Sequence, residues 1–222
     1  MQTWNGITSL FIACIELILL INLLIFADKN KVNKMAMLII LLLMIYQSFE
    51  FLMCHLNLQF SFMPYLAFVD ISFLPPLGLF YIVTFLGYKS NYFKLFFLPA
   101  VLFSIYYTFV IAKFTVTSCA VFYATYNYPL GDLYGFFYYS LVISAIIILT
   151  INLIRSFGIK RKFAVIILTA HIIISIPVIS AFILAWMNKP EALDLIESMM
   201  CKFAFAYAIA LTLVTLMNKQ HE

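Results

Sequence analysis

The stretch Glu197-Ser198-Met199-Met200-Cys201-Lys202 runs directly into Phe203–Met217, FAFAYAIALTLVTLM, fifteen residues without a charge. An acid, a thiol and an ammonium group thus stand within one and a half turns at the head of an apolar helix. A second stretch, Glu50-Phe51-Leu52-Met53-Cys54-His55, repeats part of the pattern. In both, Glu and Cys are four residues apart, which places them on one helix face. Charged groups set beside such runs point to helices in a bilayer, and the whole composition agrees. The 222 residues are 66% hydrophobic and 10% charged, against roughly 25% charged in soluble domains. A soluble core cannot hide that much apolar surface, whereas a bilayer can.

Seven apolar segments are expected, at about 6–27, 35–55, 63–87, 93–113, 132–154, 163–187 and 195–217, each near the ~20 residues needed to cross. The reading is a single all-α domain over residues 1–222, a polytopic seven-transmembrane-helix bundle. Met1–Gly6 carries no Lys or Arg, so the first segment reads as a retained span and not a cleaved signal. The longest connection, 114–131, is rich in Tyr, Thr and Phe and ends on Pro129 and Gly131. Pro75-Pro76, Pro99 and Pro177 fall inside spans three, four and six. Each removes an amide donor and frees a carbonyl, so each marks a kink.

Lys29, Lys31, Lys34, Lys89, Lys94, Arg155, Lys160, Arg161, Lys162 and Lys219 fall on one side of a seven-span chain, while Lys113 and Lys189 fall on or near the other. The positive-inside rule then puts the N-terminus outside and the C-terminus in the cytoplasm, in a bacterial plasma membrane. The pI near 8.8 rests on few charges and gives no reason to expect nucleic acid.

Ionisable groups inside a membrane are costly and face the bundle interior or a cavity. Glu16, Glu50, Asp70, His171, Glu197 and Lys202 are such groups. Glu50, Cys54, His55, Asp70, Glu197 and Cys201 fall in the outer half, with Lys202 slightly deeper. Four arrangements fit. Lys202 could pair with Glu50, Asp70 or Glu16 and fix helix packing. Glu50, Asp70, Glu197, Lys202, Cys54 and Cys201 could line an outward-facing pocket for a small ligand. The acids, His55 and the thiols could hold zinc or copper, although HxxxH and HExxH are absent. The same groups could form an ion path. No cofactor is implied. The outer cysteines either form a disulfide, most simply Cys119 with Cys54 or Cys201, or remain buried thiols.

At the third span, Asp70-Ile-Ser-Phe-Leu-Pro-Pro-Leu-Gly-Leu-Phe-Tyr, closed by Gly87-Tyr88, resembles the seven-span sensor module of bacterial histidine kinases and diguanylate cyclases. The Tyr-rich start of the fifth span, Leu133–Tyr139, is also similar. No kinase or cyclase domain follows in the chain, so the resemblance implies a cytoplasmic signalling partner for any output. Gln47…Glu50 and Ser198…Cys201…Phe203-Ala204 resemble a second bacterial seven-span family, one that implies no activity. The expected function is therefore sensor- or receptor-like. The alternatives are a membrane-embedded, metal-dependent lipid hydrolase, with Glu50 or Glu197 as general base, or a small transporter.

Overall fold

The structure, a computed structural model, describes residues 4–88, 91–187 and 196–219. Its helices are α1 (Ile7–Phe26), α2 (Lys31–Cys54), α3 (Phe62–Ser72), α4 (Leu74–Phe85), α5 (Leu98–Phe109), α6 (Gly131–Arg155), α7 (Gly158–Trp186), α8 (Ile196–Phe203) and α9 (Phe205–Lys219). A 3₁₀ stretch, Asn91–Phe97, leads into α5. Six helical segments among the described residues are long and apolar enough to span a membrane: α1, α2, α3 with α4, α6, α7, and α8 with α9. The chain is thus all-α and compatible with an integral membrane protein. The seventh expected segment is shorter, an apolar helix over Phe93–Phe109.

Local chemistry explains where the elements depart from expectation. α2 starts before residue 35 because Asn30 caps it, its side chain accepting from the Asn33 amide at 2.8 Å. Pro75 and Pro76 sit in the first turn of α4, where a missing N–H costs nothing, so the third segment is two helices meeting at Phe73. Pro99 likewise opens α5 and does not kink it. Pro177 does lie within a helix, α7. The last segment breaks at Ala204, between α8 and α9.

The 114–131 connection contains an antiparallel hairpin, β1 (Thr115–Cys119) and β2 (Ala124–Asn127), with a register shift between Val116 and Ser118. The β-branched run Thr115-Val116-Thr117 suits a strand. The Gly6 amide donates to the Ala120 carbonyl at 3.0 Å. Cys54 and Cys119 form a disulfide with a Cα–Cα distance of 5.5 Å. These ties bring the start of α1, the end of α2 and the hairpin to one end of the bundle. Beneath the hairpin lies a packed aromatic cluster in which Phe68 meets Tyr107, Phe114, Tyr126, Tyr128 and Tyr134 at ring separations of 4.1–6.4 Å. Tyr107, Tyr126 and Tyr134 are therefore core residues here. Exposed Lys and Arg residues crowd the opposite end, around the α1–α2 and α6–α7 turns.

Candidate functional site: a buried polar clasp

Four segments converge on one ion pair. α2 places Gln47 and Glu50 three residues apart on a single face, α8 places Ser198 and Lys202 four apart, and α1 supplies Ser9. Lys202 Nζ lies 2.8 Å from Glu50 Oε1, with the two side chains 7% and 1% exposed. The ammonium also donates to Ser9 Oγ and to Gln47 Oε1, each at 2.7 Å. An ammonium group has three donors, and all three are used.

The acid is as fully engaged. Ser9 Oγ donates to Glu50 Oε1 and Ser198 Oγ donates to Glu50 Oε2, both at 3.2 Å. Ser198 Oγ in turn accepts from the amide of Ala124 in β2 at 3.0 Å. Gln47 Nε2 donates to the Cys201 carbonyl at 3.0 Å. That carbonyl lies in the last turn of α8, where helix carbonyls lack intrahelical partners. The break at Ala204 and the choice of Gln47 are thus two sides of one arrangement. A buried charge is tolerated only when paired and hydrogen-bonded, and the cluster meets that condition for both charges.

Of the residues singled out in the sequence, the structure brings together Glu50, Lys202 and the backbone of Cys201. Cys54 is next to the cluster in sequence but is committed to the disulfide, so the free-thiol alternative fails there and holds for Cys201, whose thiol is buried and free. Asp70 is buried in α3 with Oδ2 unbonded among the described residues, and no hydrogen bond joins it to Glu50 or Lys202. The side chain of Glu197 lies outside the described residues. His55 is exposed and stacks on Phe51 at 5.0 Å. His171 is buried midway along α7, donating from Nδ1 to the Ile167 carbonyl at 2.9 Å and packing edge-on against Tyr207. Glu16 is fully buried in α1, both carboxyl oxygens without a hydrogen-bond partner among the described residues.

Ser9, Gln47 and Ser198 are members that the sequence does not mark as site residues, and Ser9 is the least conspicuous of them. One Ser in an apolar helix is unremarkable, and its only signal is the seven-residue spacing to Glu16, which puts both on one face of α1. Among the described residues no three His, Cys, Asp or Glu side chains gather closely enough to hold a metal ion. The thiol of Cys54 is in the disulfide and Glu50 is held by Lys202, so the donor set expected for zinc or copper is not assembled from those residues.

Two cavities flank the cluster. A small one of about 50 Å³ lies between Cys201, His171, Tyr207, Pro75 and Gly78, and its lining is mainly apolar. A large one of about 1050 Å³ lies between α6 and α7. Neither is lined by Glu50 or Lys202. Comparison with protein-family models, with curated proteins and with solved structures finds no match to this chain. The likeness to sensor modules therefore rests on the quoted residues alone.

Proposed function

We propose that this is a receptor-like integral membrane protein of seven crossings in which the Glu50–Lys202 cluster is a latch between the hairpin and the helices. The observation that carries this reading is the clasp itself. A single buried ion pair is hydrogen-bonded, directly or through Ser198, to α1, α2, α8 and β2. An input at the hairpin end that competes for Ser198 or Lys202 would part the two buried charges, giving two discrete states and not a graded response. Asp70, Glu197 and Cys201 stand on the helices that such a release would move, and they are the remaining candidates for contact with the polar end of a small ligand. The hinge between α3 and α4 at Phe73 would carry the movement across the membrane to a cytoplasmic signalling partner.

The seventh crossing is supported by arithmetic. Seven 3₁₀ residues at about 2.0 Å rise and twelve α-helical residues at about 1.5 Å reach about 32 Å, the thickness of a bilayer core. Ten Lys and Arg residues then share the cytoplasmic side, with the hairpin outside a bacterial plasma membrane.

Hydrogen exchange tests the latch in reconstituted protein. Lys202→Met should raise exchange in residues 115–127 and 196–203 together, leaving the α6–α7 turn unchanged. Exchange that rises uniformly, or only in α8, would contradict a latch joined to the hairpin.

One observation favours a second reading, a small transporter. Glu16 is a fully buried carboxyl group midway along a spanning helix with neither oxygen bonded among the described residues, a pattern that marks ion and proton paths. Glu16→Gln abolishing proton-coupled flux in vesicles would select it, and no flux in the wild type would remove it.

A further inference from the structure

Among the described residues the α6–α7 groove is a large open feature that the clasp does not use. It runs along Gly131–Ile146 of α6 and Ser175–Trp186 of α7, beneath Tyr126 and Asn127 of the hairpin. Those helix stretches are about 24 Å and 18 Å long at 1.5 Å per residue. A bilayer core is about 30 Å thick, so the groove stops short of a full crossing. Below it Leu149 of α6 and Ile167 and Ala170 of α7 are buried in one core cluster, which closes it. A spanning helix from a partner needs a face about 30 Å long and would run onto that closed half. A lipid chain of the hairpin-side leaflet does not.

The walls match such an occupant. Ile143, Ile179, Phe182 and Ile183 are each more than half exposed and face the groove. These apolar side chains lie at the depth of acyl chains. At the mouth the lining turns polar, with Asn127 and the exposed carboxylate of Asp132. Among the described residues that line the groove, Asp132 is the charged one. Its carboxylate repels an anionic head group and attracts a cationic one.

We propose that the α6–α7 groove binds one acyl lipid of the hairpin-side leaflet, with an amine-bearing head group set against Asp132. This rests on the shape and charge of the groove and stands whether or not the clasp acts as a latch. The occupant would also touch Ile196, which lines the groove two residues before Ser198.

Native mass spectrometry of the detergent-purified chain tests the site, with phosphatidylethanolamine and phosphatidylglycerol of matched chains as probes. The wild type should retain one phosphatidylethanolamine under activation that strips phosphatidylglycerol. The paired substitution Ile143→Trp with Ile179→Trp should abolish retention, while Ile151→Trp, on the same helix outside the groove, should not. Asp132→Asn, an exposed change that leaves the fold intact, should lower the preference for the amine lipid by roughly two- to fivefold, the range of one exposed charge pair. Equal retention of both lipids by the wild type, no retention of either, or an unchanged preference in Asp132→Asn would each overturn the proposal. The last comparison decides even if the tryptophan pair fails to fold.

Discussion

The clasp and the groove sit at the same end of the bundle and are built in opposite ways. The clasp gathers charged and polar side chains from distant parts of the chain and closes them on one another. The groove is walled chiefly by Ile, Phe, Val and Tyr side chains, with Asp132 at its mouth, and left open. The difference follows from the solvent. Inside a bilayer an open polar site must be satisfied by something, and here neighbouring side chains do it. An apolar groove needs no such satisfaction, because lipid is always at hand to fill it. Conspicuous residues are thus spent on cohesion, and the open space is lined by residues that do not stand out.

The sharpest way to break this contrast is to strand one charge of the clasp. Lys202→Met leaves Glu50 buried without its counterion and should destabilise the protein by about 3–5 kcal/mol, measured as thermal unfolding in detergent. A change below 1 kcal/mol would mean the clasp is not closed in solution. The tie between hairpin and α2 comes next. Replacing Cys54 and Cys119 with Ser opens a loop of sequence separation 65 and should cost about 2–4 kcal/mol. Reducing agent should lower the melting temperature of the wild type and leave this variant unaffected.

Ser9→Ala removes an acceptor for Lys202 and a donor to Glu50, at about 1.5–3 kcal/mol for bonds to charged groups. Its loss should exceed that of Ser104→Ala, whose hydroxyl bonds only its own helix. The groove gives the smallest effect. Ile143→Trp should change stability by less than about 0.5 kcal/mol, as exposed positions do, yet it should reduce lipid retention. If it destabilises strongly, the groove is packed and not open.

Much of this was legible in the sequence. Length and hydropathy mark the membrane helices, because a span needs about 20 apolar residues whatever its neighbours. The cost of an unpaired ammonium group in lipid marks Lys202 as a residue that seeks an acid, and Glu50 was among the acids within reach. Choosing Glu50 over Asp70 or Glu16 was not legible, because the choice depends on how α2 and α8 rotate about their axes. Ser9 was invisible for the same reason. The hairpin was missed because a nine-residue pair of strands is a weak local signal whose stability comes from the disulfide and the aromatic cluster beneath it. The prolines misled on position. Pro75, Pro76 and Pro99 begin helices in this fold, where the sequence suggested kinks within them.

A double-mutant cycle between Glu50→Gln and Lys202→Met, read by unfolding in detergent, tests the closed clasp most directly. Mutual dependence predicts a coupling of about 1–3 kcal/mol, with the double variant more stable than Lys202→Met alone. Additive losses, within about 0.3 kcal/mol, would show that the two charges do not hold one another.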